Sequence, residues 1–251
     1  MMTNHGFTPL KIVKVVQENY RTRSFFLEDA LPSAAPGQYV MAWLPGVGEK
    51  PFSVAGNFPL KITVVTVGPV SSALYALQPG ERIWIRGPLG CGYRPSGRRH
   101  LLVGGGYGAA PLLFLAQNLL AEGGEVQVCL GARSQQDLLL ADQFERLGCR
   151  VSLTTDDGSM GRKGLVTEAV LSAIADAAPD ALYACGPVPM LTAVAQLCTR
   201  RGLHCQLSWE AIIRCGMGLC GSCELDADIS RLCGMPEGWL TCKDGPVFIR
   251  E

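Results

Sequence analysis

The sequence has no excess of either charge: 22 lysines and arginines stand against 22 aspartates and glutamates in 251 residues. That removes the basic surplus by which proteins usually hold nucleic acid, so no nucleic-acid partner is expected. There is no internal repeat and no low-complexity run. At 48% hydrophobic and 18% charged, the composition is also far from that of a disordered chain. The opening residues, Met1-Met2-Thr3-Asn4-His5-Gly6, contain no apolar stretch of a secretory leader. Nor are the cysteines those of a small secreted disulfide scaffold, since 11 is an odd number spread over a long chain. A reducing compartment, the cytoplasm, is the expectation, with thiols serving metal or buried. One uncharged stretch, residues 101–121, is long enough to span a bilayer. It is interrupted by Gly104, Gly105, Gly106, Gly108 and Pro111, and reads as a buried strand, a glycine turn and an apolar helix. No membrane association is expected.

What is present falls into three parts. Residues 1–96 read as an antiparallel β-barrel, with strand-like runs at 10–17, 40–43, 60–67 and 82–86 between turn residues and one short helix at 71–77. Residues 97–209 alternate strands (101–103, 126–130, 150–154, 181–184, with 206–209 as a candidate fifth) and helices (110–121, 137–147, 165–174, 188–201). Such alternation predicts an α/β domain with a parallel sheet and helices on both faces. Residues 210–251 are rich in Cys and Gly and lose the periodicity. A segment so poor in core residues needs a staple to fold.

The staple is legible. Cys215-Gly-Met-Gly-Leu-Cys220-Gly-Ser-Cys223 spaces its thiols as C-x4-C-x2-C, and Cys242 follows after 18 residues. This is the plant-type spacing for a [2Fe–2S] cluster. Gly216, Gly218 and Gly221 permit the tight turns that bring backbone amides to sulfur. Structural zinc usually takes two C-x2-4-C pairs, and buried thiols are the third alternative. Cys233 is a fifth cysteine of the segment and an alternative fourth ligand. Cys91, Cys129, Cys149, Cys198 and Cys205 read as small buried hydrophobes.

Leu101-Leu-Val-Gly104-Gly-Gly106-Tyr-Gly108-Ala-Ala-Pro111 runs from a strand into a helix. Glycine lets the backbone approach a pyrophosphate, and a helix N-terminus favours its charge. The acid that should end the second strand and hold a ribose is missing, because Val126–Leu130 leads into Gly131-Ala132-Arg133. An ordinary Rossmann dehydrogenase is thereby disfavoured. Arg133-Ser134 stands where a 2′-phosphate could be met, which leaves NAD against NADP open. Cys185-Gly186-Pro187 ends the fourth strand, the side of an open α/β sheet where ligands bind. Glu49-Lys50-Pro51-Phe52-Ser53 gathers a cation, an aromatic and a hydroxyl, and Gly68 with Ser71 and Ser72 opens the short helix as a cap or a phosphate seat.

Taken in order, these motifs resemble the ferredoxin reductase family. With the cysteine segment and the closing Thr241-Cys242-Lys243-Asp244-Gly245-Pro246, the chain resembles the electron-transfer subunits of dihydroorotate dehydrogenase B over its full length. The resemblance implies an FAD-binding barrel, an NAD-binding domain and a [2Fe–2S] domain. It implies that Lys50, Pro51, Phe52, Ser53, Gly68, Ser71 and Ser72 hold the flavin. Gly105, Gly106, Gly108 and Pro111, with Cys185, Gly186 and Pro187 beside the nicotinamide, would hold NAD(H). Cys215, Cys220, Cys223 and Cys242 would be the metal ligands, with Cys242 favoured over Cys233. Lys50 stands where the family motif has Arg, a point charge in place of a fork. The implied route runs from NADH through FAD and the cluster to a partner. That partner would be an FMN-containing catalytic subunit oxidising dihydroorotate to orotate in pyrimidine biosynthesis, with two chains of each kind. The same superfamily also supplies diaphorase subunits of hydrogenases, sulfide dehydrogenases and bifurcating transhydrogenases. A non-catalytic nucleotide-binding module with structural zinc is the alternative of another class.

Overall fold

The computed structural model describes residues 6–31 and 33–250. Residues 1–5, on which the missing leader was read, lie outside them.

The first half is a closed six-stranded barrel. Its strands are β1 (Thr8–Asn19), β2 (Thr22–Leu27), β3 (Tyr39–Leu44), β4 (Gly48–Asn57), β5 (Leu60–Val65) and β6 (Arg82–Leu89), in the order β1-β2-β5-β4-β3-β6 with every pair antiparallel. Helix α1 (Pro69–Ala76) follows β5. Closure leaves no free edge. Ile12, Phe25, Leu27, Val54, Leu60 and Ile83 fill the interior with no exposed surface. Strand β4 was not evident in the sequence. Pro51 and Gly56 break its alternation, and pairing with β3 on one side and β5 on the other holds it extended.

The second half is a mixed seven-stranded sheet. Its elements are β7 (Arg99–Gly105), α2 (Ala109–Ala121), β8 (Glu125–Ala132), α3 (Ala141–Arg146), β9 (Arg150–Thr155), β10 (Arg162–Lys163), α4 (Val166–Asp176), β11 (Ala181–Cys185), α5 (Val188–Arg201), β12 (Cys205–Ser208), α6 (Ala227–Cys233) and β13 (Val247–Arg250). The strand order is β10-β9-β8-β7-β11-β12-β13. All pairs are parallel except the last, where β13 returns antiparallel to β12. Separate apolar clusters cover the two faces, one under α2 and α3 and the other under α4 and α5. Helix α2 also packs on β4, and its Phe114 enters the barrel core.

The uncharged stretch 101–121 divides as expected into β7, a glycine turn and the thirteen-residue α2. Among the described residues, no helix is long and apolar enough to cross a membrane. The helix expected at 137–147 is shorter, starting at Ala141. Asp137 is drawn out toward the barrel by Arg21, and Leu140 sits at φ 63° in the left-handed region. The segment after β12 is mostly irregular, with α6 and β13 as its two regular pieces.

Candidate electron-transfer site

The sheet register assembles the site. Gly104 pairs with Cys185 across β7 and β11, and Cys185 pairs with Ser208 across β11 and β12. The glycine loop, the Cys-Gly-Pro turn and the entry to the cysteine segment therefore leave neighbouring strands at one end of the sheet. That end faces the barrel, where Tyr39 pairs with Ser53 across β3 and β4.

Two cavities open there. One, of about 410 Å³, is lined by Lys50, Pro51, Phe52, Ser53, Gly68 and Ser71 from the barrel, and by Gly108, Pro111 and Cys185 from the sheet. Ser71 serves its own helix as well: its hydroxyl accepts from the Val67 and Gly68 amides at 3.0 Å each and donates to the Gly68 carbonyl. Ser72 is exposed and does not line the cavity. The other cavity, of about 510 Å³, is lined by Gly105, Gly106 and Pro187 with Arg133 and Asp156; Gly186 lines neither. Arg133 leans to Asp137 at 3.7 Å, and Arg21 of the barrel binds the same carboxylate at 2.8 Å.

Tyr107 and Val65 line both cavities, so they adjoin. The Tyr107 hydroxyl donates to Glu210 Oε2 at 2.9 Å. Burial raises the Glu210 carboxyl above its ordinary range, partly offset by that hydrogen bond. Burial likewise pushes the Cys185 thiol up to about 12, with the Glu210 charge adding to the effect. Cys185 is thus a protonated thiol at neutral pH. Tyr107 and Glu210 had not been singled out from sequence. Tyr107 lies inside the glycine loop, which is the available signal; Glu210 directly follows the candidate strand at 206–209, where the periodicity stops.

The cysteine segment contributes Glu210, Ala211, Ile212, Ile213 and Pro246 to the walls of the smaller cavity, where Tyr39 of the barrel also stands. Its four expected ligands come as two pairs. The Cys215 and Cys220 thiols neighbour each other, as do those of Cys223 and Cys242. The second pair is brought together by a bridge between Glu224 and Leu240 and by the Thr241 amide on the Cys223 carbonyl at 3.2 Å. Backbone amides point at sulfur: Met217 N to Cys215 Sγ at 3.4 Å, and Gly218 N to Cys242 Sγ at 3.2 Å. Gly218 manages this at φ 75°, against Lys243, where a Cβ would come within 2.8 Å of the lysine chain. Among the described residues, no three metal-ligating side chains converge on one point. Two thiol pairs bridged by an amide from the intervening loop suit a two-iron unit with two thiolates per iron. Cys233 lies apart, in the core cluster with Cys198 and Cys205.

A closed antiparallel barrel facing the carboxyl ends of a parallel sheet, with paired thiols behind the shared cavity, defines the class: an oxidoreductase of the ferredoxin-reductase type with an added iron–sulfur segment. Known proteins agree. The model for the oxidoreductase NAD-binding domain matches residues 102–196, and that for the iron–sulfur cluster binding domain of dihydroorotate dehydrogenase B matches residues 210–251. A Thermococcus kodakarensis protein is 44% identical over 86% of this chain and 85% of its own length. One from Methanocaldococcus jannaschii is 35% identical over 95% and 88%. Both bear the name "probable dihydroorotate dehydrogenase B (NAD(+)), electron transfer subunit". Among solved structures, one of an NADH-dependent reduced ferredoxin–NADP oxidoreductase, described for flavin-based electron bifurcation, superposes with a TM-score of 0.82 at 29% identity, covering 96% of this chain and 87% of that one. A ferredoxin reductase of a carbazole dioxygenase shares the fold at TM-score 0.66 and 22% identity, over 78% of this chain and 66% of that one. The chain belongs to the family of dihydroorotate dehydrogenase B electron transfer subunits.

Proposed function

We propose that this chain moves electrons between NAD(H) and a catalytic dihydroorotate dehydrogenase subunit, through FAD in the smaller cavity and a [2Fe–2S] cluster on Cys215, Cys220, Cys223 and Cys242. The observation that carries the reading is the line of sites: nucleotide cavity, Tyr107, flavin-sized cavity, Tyr39, paired thiols. When bound, the flavin exchanges two electrons as hydride with nicotinamide and single electrons with the cluster. The chain's residues position these groups and exclude water. Lys50 supplies a cation for the flavin pyrophosphate, and Phe52 and Ser53 the wall and hydroxyl beside its ring. The Gly105–Gly108 loop, at the start of α2, supplies amides for the dinucleotide. Cys185, protonated and buried, flanks the nicotinamide without adding charge. The division into parts at 1–96, 97–209 and 210–251 follows these three tasks. The partner is the FMN-containing subunit that oxidises dihydroorotate, in an assembly of two chains of each kind in the cytoplasm.

A second reading has one observation in its favour: the bifurcating ferredoxin–NADP oxidoreductase structure matches nearly the whole chain. In that reading the partner differs and this chain's sites do not.

Two measurements test the proposal. Anaerobically prepared protein is expected to show flavin bands overlaid by iron–sulfur absorption, with about two irons per chain. Colourless protein with bound zinc would end the reading. Copurification from the native host is expected to bring down a dihydroorotate-oxidising flavoprotein. Recovery with another oxidoreductase chain in its place would select the second reading.

A further inference from the structure

Two barrel side chains hydrogen-bond to the cysteine segment, each on the backbone carbonyl of a proposed ligand, one in each thiol pair. Tyr39 Oη donates to the Cys242 carbonyl at 2.8 Å. Arg86 Nη2 donates to the Cys215 carbonyl at 2.9 Å. They stand on adjacent strands, where Met41 of β3 faces Arg86 of β6. The two contacts differ in kind. A phenol offers a dipole that acts at short range, whereas a guanidinium carries a full charge that acts further and is not titrated away.

Arg86 is an uncommon residue to find here. It is only 5% exposed, and its Nη1 is buried without a hydrogen-bond partner. Burying a cation incompletely paired costs several kcal/mol, of the order found for buried ions in general. Its counter-charge, Glu49, binds the same Nη2 at 2.9 Å but keeps 28% of its side chain in solvent. The carboxylate is therefore screened more than the guanidinium, and the field toward the thiols is positive. Glu49 also directly precedes Lys50, so the same ion pair ties the flavin-cavity strand β4 to the cysteine loop. Gly216 leaves just enough room, since a Cβ there would come within 3.3 Å of Arg86 Nη2.

We propose that Arg86 is a positioning residue for the cluster: it pins the Cys215–Cys220 half of the loop to the flavin barrel, and its buried positive charge makes the cluster easier to reduce. The proposal rests on the reading that the four thiols hold a [2Fe–2S] cluster. Adding an electron adds a negative charge, and a fixed cation in a poorly solvated position favours the more negative state. Glu49 works against it from the solvent side, so the pair sets the potential by difference.

The test is an anaerobic redox titration of the intact protein. Cluster reduction is followed by its electron paramagnetic resonance signal, and the flavin's potential serves as internal reference. Arg86→Met, unbranched and uncharged, is expected to lower the cluster's reduction constant about tenfold against the flavin, a fall of about 59 mV for a one-electron couple. Arg86→Lys, which keeps the charge and loses the fork, is expected to recover most of that shift. Glu49→Gln is expected to move the potential the other way, since it frees the cation from its counter-charge. This opposite sign is what a merely structural ion pair would not give, and it can be read even if Arg86→Met fails to retain its cluster. Unchanged potentials in the loaded variants, or shifts of one sign for both Arg86→Met and Glu49→Gln, would overturn the proposal. A wild-type protein without a cluster would instead overturn the reading on which it rests.

Discussion

Replacing Cys220 with serine is expected to strip the chain of its cluster and leave its flavin and its NADH-to-dye reaction in place. Cys220 is exposed, and its sulfur lies 3.1 Å from the Ser222 hydroxyl, with its pair-mate Cys215 beside it. No core packing depends on it, so the fold has little to lose. A hydroxyl is a poor substitute for a thiolate on iron, and a two-iron unit with one ligand missing has an open, solvent-facing edge. Iron is expected to fall from about two per chain to a small fraction of one. The flavin-sized cavity does not include Cys220 among its walls. Reduction of a two-electron dye should therefore persist while transfer to a one-electron acceptor protein collapses. Full iron content with an unaltered visible spectrum in the serine variant would show that Cys220 is not a ligand.

Gly108→Ala is expected to have the opposite profile, with the cluster kept and the nucleotide chemistry lost. A Cβ at this position would lie 2.2 Å from the Cys185 carbonyl oxygen and 2.8 Å from the Gly186 amide nitrogen. Both are backbone atoms, one at the end of the central strand β11 and one in the turn that follows it, so neither can swing away as a side-chain tip could. Relief requires β11 or the start of α2 to move. Forced overpacking of this kind costs about 1–3 kcal/mol, and backbone neighbours place it at the upper end. In a chain of this size that corresponds to a fall in Tm of roughly 5–10 °C. The functional loss is larger. A displacement of about 1 Å in a positioning element can cost on the order of a hundredfold in rate. Gly108 sits where the glycine loop, the Cys-Gly-Pro turn and the flavin-sized cavity meet. Stopped-flow reduction of the bound flavin by NADH, with iron content and thermal melting alongside, checks it. NADH reduction at the wild-type rate would mean that the loop does not hold the dinucleotide.

How much of this was legible in the sequence depended on the reach of each interaction. Helix α5 runs Val188–Arg201, as its periodicity and the following glycine imply, because its signals are local. The nearness of Cys215 to Cys220 follows from spacing within one short loop, but the spacing reads as three thiols together and one remote, and the division into pairs is not in it. The pairing of Cys223 with Cys242 is set by a bridge between Glu224 and Leu240. Strand β4 was hidden because its extended form comes from its neighbours. The shortened α3 was hidden because the contact that draws Asp137 away comes from Arg21, 116 residues earlier. Tyr39 and Arg86 were invisible for the same reason, since their carbonyl partners lie 203 and 129 residues distant. No residue-by-residue pattern records a hydrogen bond of that span.

The antiparallel return of β13 onto β12 carries a consequence for how such a protein could be built or rebuilt. The sheet runs through Ser208 and resumes at Val247, with the two residues paired face to face. Topologically, everything between them is the tip of one edge hairpin, however much chemistry it holds. The entropy of closing a loop grows only slowly with its length. Lengthening or trimming such a tip therefore changes what the molecule can conduct at little cost in loop closure, but the sheet feels it where Cys233, Met235 and Trp239 pack into its apolar core. The last station of the circuit joins the sheet at a single seam, where Ser208 pairs with Val247. The same seam makes that station a poor candidate for life on its own, because one of its two walls of support is a strand that belongs to the nucleotide sheet.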